Sequence, residues 1–236
     1  MAKIWYTLYK FWKITTQNHI EFKRNFMITT IRKLAQGDDL NIVSSLIYET
    51  DKYILPSLFE DDKARAMRVL PYMIKSNTPY NENNIYVGLV DDRIVGIVIA
   101  CRSPIKVDVS AFFNAFESAG EMVDETLERA LKEYFFPLES EGNGYYVSSV
   151  CIDETCRGQG IGSELLDGAL PYLDKDLDVY LDCAEDNEIA LSMYSARGFE
   201  RLFAFESFTG VPYCKLIRRA NRETIIQEMK NEEEVQ

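Results

Sequence analysis

The sequence predicts a mixed α/β (α+β) domain in which helices flank a central, mostly antiparallel sheet of about seven strands. Three observations lead to this fold class. Seven short segments have alternating or continuous apolar residues, and the segments between them have apolar residues at helical spacing. Two pairs of strands are separated by the turns Asp91-Asp92 and Thr209-Gly210, as in antiparallel hairpins. One buried strand, in contrast, leads through a glycine-rich turn into a helix.

The elements follow one another in a clear order along the chain. Strands are predicted at residues 29–33, 85–90, 94–101, 145–152, 179–184, 200–208 and 211–216. Helices are predicted at residues 38–50 and 62–76, a long, mostly helical stretch at residues 109–136, and helices at residues 160–170 and 188–197. We expect Asp38 to cap the first helix, Pro171 to end the fourth, and Gly198 to close the last one in the left-handed conformation.

The length of 236 residues suits one domain, which we expect over residues 27–220. Residues 1–26 contain both tryptophans and five basic residues against one acid, and we interpret them as an extension outside the fold. Lys10 and Lys13 interrupt its apolar stretch, which argues against a bilayer span, whereas binding to a membrane surface stays open as an alternative. Residues 221–236 are predicted to be a charged tail.

The composition narrows the class of partner and the compartment. A net charge of -12 repels nucleic acid and anionic membranes and suits a basic or amine-bearing substrate, although acidity also serves solubility. The five cysteines form no C-x-x-C pair and there is one histidine, which argues against a zinc site or any other metal site and against a disulfide scaffold. Scattered single cysteines indicate a reducing compartment, and we expect the protein to be cytoplasmic.

The most informative segment is a strand ending at Val150, Cys151 and Ile152, followed by a short loop and the run Arg157-Gly158-Gln159-Gly160-Ile161-Gly162. A helix follows this run, and unpaired N–H groups at a helix start favour phosphate or diphosphate. Glycines allow close backbone approach to a ligand, and Arg157 adds a fork of hydrogen-bond donors.

Two other phosphate-binding motifs do not fit this run. A P-loop requires Lys-Ser or Lys-Thr after its last glycine, whereas Gly162 is followed by Ser163-Glu164. The dinucleotide fingerprint requires a third glycine at the position of Ser163. A simple tight turn is the alternative without a ligand.

The pattern Arg157-x-x-Gly160-x-Gly162 resembles the acetyl-CoA pyrophosphate loop of the GNAT superfamily of N-acetyltransferases. Downstream, Asn187-x-x-Ala190-x-x-x-Tyr194-x-x-x-Gly198-Phe199 is similar to the second cofactor motif of that family. The two motifs occur in the family's order, and the resemblance covers roughly residues 27–218.

The resemblance implies a role for each matched residue. The strand Val150, Cys151 and Ile152 would pair through its backbone with the pantetheine arm of acetyl-CoA, which is a co-substrate. The amides of Gly158, Gln159, Gly160, Ile161, Gly162 and Ser163 would hold the diphosphate. The Asn187 side chain would bond pantetheine, and Tyr194 would act as a general acid toward the departing CoA thiolate. Both side chains also have structural alternatives, as a helix cap and a core aromatic.

The base that removes the proton of the amine is the weakest point of the resemblance. Many family members carry a glutamate on or near the fourth strand, but Tyr145–Val150 contains no carboxylate. Asp182, Glu139 and Glu141 are nearby in sequence, and Asp182 is the tentative base. A solvated charge on the strand is the alternative for Asp182. We hypothesise that no single base is essential.

The resemblance places the substrate pocket at residues 48–59, 77–83 and 109–136. Tyr53, Phe59, Tyr80 and Phe113 are candidates for aromatic contacts with a cationic amine, or else ordinary core residues.

We therefore predict an enzyme that moves acetyl from acetyl-CoA to a primary amine by direct attack through a tetrahedral intermediate. The amine belongs to a small molecule or to a protein, and no nucleic acid, metal or membrane partner is expected. A homodimer is left open. The alternative function is a non-catalytic acyl-CoA-binding regulatory module.

Overall fold

The computed structural model describes residues 27–105, 108–125, 127–131 and 142–220. Within this part of the chain, seven strands form one sheet in the order β1-β2-β3-β4-β5-β7-β6. Only β4 and β5 are parallel neighbours, and every other adjacent pair is antiparallel. The predicted fold class is confirmed. The strands are β1 (Thr30–Lys33), β2 (Ile85–Val90), β3 (Arg93–Ser103), β4 (Gly144–Ile152), β5 (Asp178–Ala184), β6 (Glu200–Glu206) and β7 (Pro212–Arg218).

Helices lie on both faces of the sheet. They are α1 (Leu40–Tyr48), α2 (Ile54–Leu58), α3 (Lys63–Lys75), α4 (Val109–Ser118), α5 (Ile161–Ala169) and α6 (Glu188–Ser195). Residues 127–131 are also helical. Helix α5 ends at Ala169 and is followed by the short 3₁₀ turn Leu170–Tyr172, which contains Pro171, the residue predicted to end this helix.

Two apolar cores lie on opposite faces of the sheet. Helices α1 to α4 pack on one face, where Val43, Leu70 and Phe116 meet the β3 residues Ile97 and Ile99. On the other face, α5 and α6 pack against the alternate residues of the same strands. Burial on both sides explains the continuous apolar run of β2 and β3 in the sequence. Each large apolar side chain removed from water stabilises the fold by about 1.5–3 kcal/mol.

The cap of α1 differs from the prediction. Asp39, not Asp38, caps this helix, and its carboxylate accepts from the N–H of Asn41 at 2.8 Å. Asp38 instead forms a bidentate pair with Arg32 of β1, at 2.7 and 2.8 Å. The Arg32 guanidinium holds the pKa of Asp38 below its ordinary value. An arginine on the neighbouring strand therefore binds the carboxylate that local propensity assigns to the cap.

The stretch over residues 109–136, predicted to be mostly helical, is divided into two helical parts where the structure describes it. Helix α4 ends at Ser118, and Gly120 adopts φ +74°, the left-handed conformation that stops helices. A new helical turn begins after Asp124, whose carboxylate accepts from the N–H of Leu127 at 2.8 Å. Residues 132–136 lie outside the described residues, as do residues 1–26 and 221–236, so those predictions stay predictions.

The sheet opens between its two parallel strands. Strands β4 and β5 pair only from Gly144 opposite Asp178 to Val147 opposite Leu181. Beyond that point β4 continues along β3, and β5 continues along β7, without pairing with each other. We call this gap the β4–β5 opening and the Val147–Leu181 pair its vertex. At the narrow end a Cβ on Gly144 would lie 2.3 Å from the carbonyl oxygen of Asp178, so only glycine fits there.

Candidate functional site

The unpaired stretch of β4 presents backbone groups to the opening. Ile152 lies opposite Gly96 of β3, and the N–H of the following Asp153 donates to Val95 at 2.8 Å. This bond makes Ile152 and Gly96 a non-hydrogen-bonded pair, as Val150 and Val98 also are. The N–H and C=O groups of Val150 and Ile152 therefore point away from β3 and into the opening. Such an edge can accept an extended ligand as a further strand.

The glycine-rich run forms a cradle of N–H groups at the start of α5. Gly158 and Gly160 have φ of +74° and +84°, which an L-residue rarely adopts. The backbone N–H groups of the five residues from Gly158 to Gly162 donate to no acceptor among the described residues. The next N–H group, that of Ser163, donates to the carbonyl oxygen of Gly160 at 3.0 Å. A Cβ added to Gly158 or Gly160 would meet nothing within 4 Å. Free donors, open space and the helix dipole fit a diphosphate.

The Arg157 side chain reaches back to the strand instead of standing free. Its Nε donates to the carbonyl oxygen of Ile152 at 2.8 Å, and its Nη2 lies 3.5 Å from the Glu49 carboxylate at the end of α1. One of the two lone pairs of the Ile152 carbonyl is thus already used. The arginine links the cradle, the open edge of β4 and helix α1.

Tyr194 of α6 is buried beside the opening. Its ring packs edge-on against Phe199 at a centroid distance of 5.6 Å. Burial raises the pKa of Tyr194 well above its ordinary value, and the thiols of Cys183 on β5 and Cys151 on β4 add to this effect. The phenol is therefore protonated at neutral pH and lies close to both strands that border the opening.

Asn187 caps α6, and the residue before it, Asp186, forms an ion pair. The side-chain oxygen of Asn187 accepts from the N–H of Ala190 at 3.2 Å, which is the structural role weighed in the sequence. The preceding Asp186 binds the ammonium of Lys52 at 2.7 Å and the hydroxyl of Tyr53 at 2.5 Å. These bonds, together with one from the Tyr213 hydroxyl to Asp51, hold the loop between α1 and α2 over the carboxyl end of β5.

Asp182 is the first residue of β5 beyond the vertex, and it belongs to a buried polar cluster. The Tyr146 hydroxyl donates to its Oδ2 at 2.9 Å. The Lys215 ammonium on β7, directly across the strand pair, lies 3.2 Å from Oδ1. Burial raises the pKa of Asp182 to about 7 and lowers the pKa of Lys215 to about 8. Because burial disfavours both charges, both groups can exchange a proton near neutral pH.

Most of the other candidate site residues from the sequence do not lie at the opening. Phe59 and Tyr80 are buried in the core beneath α2 and α3, which is the ordinary alternative weighed for them. Phe113 is partly buried against the same core, and only Tyr53 lies near the opening. Glu139 and Glu141 lie outside the described residues.

Three residues at the vertex were missed in the sequence: Ser148, Tyr146 and Lys215. Lys215 interrupts an otherwise apolar strand, and this exception was the signal available in the sequence. Tyr146 shares the face of Asp182 by the period of two, but the parallel pairing of their strands had to be known first. Ser148 stands out only through a bulge in β4, which alternation does not reveal.

Two kinds of site are absent from the part of the chain that the structure describes. Within the described ranges, no three His, Cys, Asp or Glu side chains are grouped so that they could hold a metal ion. None of the described helices combines the length and apolar character needed to cross a bilayer.

Comparison with known structures supports the fold. An acetyltransferase structure is 20% identical, with a TM-score of 0.61 over 82% of this chain and all of that one. An N-acetyltransferase from Staphylococcus aureus Mu50 is 18% identical, with a TM-score of 0.58 over 80% of this chain and all of that one. A structure described as histone acetyltransferase HPA2 and related acetyltransferase, from Corynebacterium glutamicum ATCC 13032, is 17% identical, with a TM-score of 0.58 over 82% of this chain and 97% of that one.

Sequence comparison identifies the family. The uncharacterized protein ML0378 of Mycobacterium leprae (strain TN) is 36% identical over 58 residues, which are 25% of this chain and only 16% of that protein. The model of the acetyltransferase (GNAT) family matches residues 51–199. This match extends from the loop after α1 to Phe199 beyond α6, and so contains the cradle, the opening and Tyr194. The chain belongs to the GNAT family of acetyltransferases, as its two glycine-containing motifs predicted.

Proposed function

We propose that this chain is an acetyl-CoA-dependent N-acetyltransferase that acetylates a primary amine by direct attack. The observation that carries the proposal is the continuity of three features: the cradle of free N–H groups, the open edge of β4, and the vertex with Asp182. A diphosphate, a pantetheine arm and a thioester follow one another in the same order along acetyl-CoA. When bound, acetyl-CoA supplies the activated acetyl group.

The backbone would supply most of the binding. The N–H groups from Gly158 to Gly162 would hold the diphosphate, and Val150 and Ile152 would bond the pantetheine amides along the edge of β4. The side-chain amide of Asn187 has donors left after its oxygen caps α6, and these would bond the same arm. The Arg157 guanidinium would either turn from Ile152 toward the phosphates and bind them, or keep its bond to the Ile152 carbonyl and hold the cradle in place against β4.

Asp182 is the residue best placed to take the proton of the amine. A primary ammonium has an ordinary pKa near ~10.4, so it must lose a proton before it attacks. A carboxyl group with a pKa near 7 is a more effective acceptor at neutral pH than an ordinary aspartate. Tyr146 and Lys215 would keep this carboxylate ionised and oriented before the amine arrives.

Tyr194 would give a proton to the sulfur that departs. The C–N bond forms, the C–S bond breaks, and the phenol protonates the departing thiolate. The nitrogen releases its second proton as the amide forms, and this proton restores the phenol, while the carboxyl group of Asp182 returns the proton of the ammonium to solvent. In water the phenol is a weaker acid than a thiol by about 1.5 pKa units. Burial raises the pKa values of Cys151 and Cys183, the thiols next to Tyr194, to about 11 and about 12. A CoA thiolate in the same surroundings would be similarly more basic, and because burial also raises the pKa of Tyr194, the phenol would keep about the same acidity relative to the thiol that it has in water.

The non-catalytic alternative leaves these side chains without a purpose. A module that only binds acyl-CoA needs the cradle and the open edge, but it needs neither a buried phenol nor a buried carboxylate at the vertex. The buried, unpaired cysteines fit a reducing compartment such as the cytoplasm.

A panel of amines tests the proposal. Purified protein is mixed with acetyl-CoA and each of a set of polyamines, amino acids, aminoglycosides and lysine peptides, and thiol release is followed. We expect at least one amine to accelerate thiol release above the rate with acetyl-CoA alone. Binding of acetyl-CoA by calorimetry without acceleration by any amine would favour the regulatory module.

A further inference from the structure

Ser148 lies where the pairing of β4 is interrupted on both of its sides. On one side it is the first residue of β4 after the last pair with β5. On the other side it is the extra residue of a bulge, because Ser149 lies opposite Ile99 and Val147 lies opposite Ala100. Ser148 therefore pairs with neither neighbouring strand, and it stands at the vertex of the opening beside Asp182. Bulges of this kind are frequent next to active sites.

The hydroxyl of Ser148 has no hydrogen-bond partner although it is buried. Its Oγ is shielded from solvent, and no described residue accepts from it or donates to it. Buried hydroxyls are nearly always bonded, because leaving one unbonded costs free energy. Ser44 and Ser103 also have unbonded hydroxyls, but neither lies at the opening. The combination of an unsatisfied donor and a position at the vertex is what distinguishes Ser148.

We propose that the Ser148 hydroxyl donates a hydrogen bond to the carbonyl oxygen of the acetyl thioester. This inference rests on the proposed function, which brings the thioester to the vertex. As the amine nitrogen bonds to the acetyl carbon, negative charge develops on the carbonyl oxygen. This charge disappears when the C–S bond breaks and the carbonyl group forms again. A fixed donor in a buried place stabilises this charge without reorganisation. The hydroxyl keeps its proton throughout, so no other group has to supply one.

The variant Ser148→Ala, with Ser149→Ala as its matched control, tests this role. Ser149 is the adjacent serine of the same strand; it is buried and lies opposite Ile99 of β3, whereas Ser148 pairs with neither neighbouring strand. Each protein is saturated with acetyl-CoA carrying ¹³C at the carbonyl, and isotope-edited infrared spectra are recorded. A hydrogen bond lowers the carbonyl stretching frequency. We expect a lowered frequency in the wild type and in Ser149→Ala, and a frequency closer to that of free acetyl-CoA in Ser148→Ala.

Turnover and stability complete the test. With the best amine of the panel, we expect kcat to fall about 10²-fold in Ser148→Ala, as for the loss of one oxyanion donor, while the Kd of acetyl-CoA stays within about twofold. Tm should not fall, because the substitution removes an unsatisfied buried hydroxyl. A merely structural serine would instead lower Tm.

Results that contradict the role of Ser148 can be distinguished from results that contradict the proposed function. An unchanged carbonyl frequency in Ser148→Ala would overturn the role of the hydroxyl while leaving acetyl-CoA binding intact. A fall in Tm together with a weaker Kd would reduce Ser148 to a structural residue. Absence of acetyl-CoA binding in the wild type would overturn the proposed function itself.

Discussion

Tyr194 and its two thiol neighbours share one environment. The phenol and the thiols of Cys151 and Cys183 all have raised pKa values because they are buried. What matters for proton transfer is the difference between donor and acceptor, and burial moves both in the same direction. The buried tyrosine therefore keeps about the same acidity relative to a buried thiolate that an exposed tyrosine has relative to an exposed one.

Replacing Tyr194 by Phe tests this role. We expect kcat to fall about 10²-fold or more, because general acid catalysis contributes about 10²–10⁴-fold, while the Kd of acetyl-CoA changes little. Steady-state kinetics and calorimetry measure the two quantities. Tyr172→Phe, which removes an exposed hydroxyl on the short turn after α5, is the control and should leave kcat unchanged. Equal kcat in both variants would leave Tyr194 as a core aromatic.

Asp182 gives the enzyme an expected pH dependence. A base acts only when it is deprotonated, so kcat/KM should fall as pH drops below about 7, the value to which burial raises its pKa. Asp182→Asn should lower kcat/KM by about 10²-fold or more and remove this acid limb. A steep loss would also contradict the hypothesis from the sequence that no single base is essential.

Tyr146→Phe separates the carboxylate from its surroundings. Asp182 contacts Tyr146 on β4 and Lys215 on β7, and its charge also interacts with the thiols of Cys183 and Cys214, which belong to the core on the other face of the sheet. The Tyr146 hydroxyl bonds the carboxylate and thereby lowers its pKa, so its loss should move the acid limb to higher pH. Tyr145→Phe, on the opposite face of β4, should leave the limb in place. If the fall of kcat/KM at low pH occurs at the same pH in both variants, the group that causes it is not Asp182.

Single side chains could be predicted from the sequence where a motif fixed their place. The motif pointed to Tyr194 and Asn187, and the alternation of β5 made Asp182 one of three candidate bases; the roles of all three residues stay predictions. The partners of Asp182 could not be predicted, because Tyr146 and Lys215 come from strands that are 36 residues before it and 33 after it in the chain. Only the sheet order brings them together, and that order is not a local property of the sequence.

The strand-turn-helix from β4 to α5 is the element that the sequence predicted best. The reason is that its glycines have a local cause, since Gly158 and Gly160 adopt positive φ. The ends of other elements depended on distant contacts. Arg32 draws Asp38 away from the cap of α1, and Gly120 divides the stretch over residues 109–136 that was predicted to be mostly helical.

Gly160→Ala tests the cradle against a matched glycine. Gly160 and Gly120 have similar positive φ and open space where a Cβ would lie, so alanine should cost each about 1–2 kcal/mol of stability. Only Gly160 lies in the cradle. We expect the Kd of acetyl-CoA to rise at least about tenfold in Gly160→Ala and to stay unchanged in Gly120→Ala, as measured by calorimetry. Similar Kd values in both variants would remove the cradle from the binding site.

At the scale of the whole molecule, a domain over residues 27–220 stays a prediction, and truncation tests it. Near one boundary the N–H of Ile28 donates to the Glu164 carboxylate, and at the other the N–H of Ala220 donates to Asp178, so both boundaries contact the fold. We expect a chain of residues 27–220 to keep the Kd of acetyl-CoA and the Tm of the full chain within about 2 °C. A large loss of either would show that residues 1–26 or 221–236 belong to the working domain.

Vesicle flotation with the full chain and the 27–220 chain addresses the membrane alternative for residues 1–26. Anionic and neutral vesicles serve as the two probes. Recovery of the full chain alone with anionic vesicles would support a membrane-surface segment, and equal recovery of both chains would contradict it.

The short contact between β4 and β5 has a consequence for cohesion. Four residue pairs join the β1–β4 part of the sheet to the β5–β7 part, so this seam is the narrowest connection between them. A ligand bonded along β4 and held by α6 would bridge the seam and protect its amides from hydrogen exchange. At a concentration of 100 times its Kd, such a ligand adds about 2.7 kcal/mol to the stability of the folded state. We therefore expect saturating acetyl-CoA to slow hydrogen exchange at the amides of β4 and β5 that border the seam.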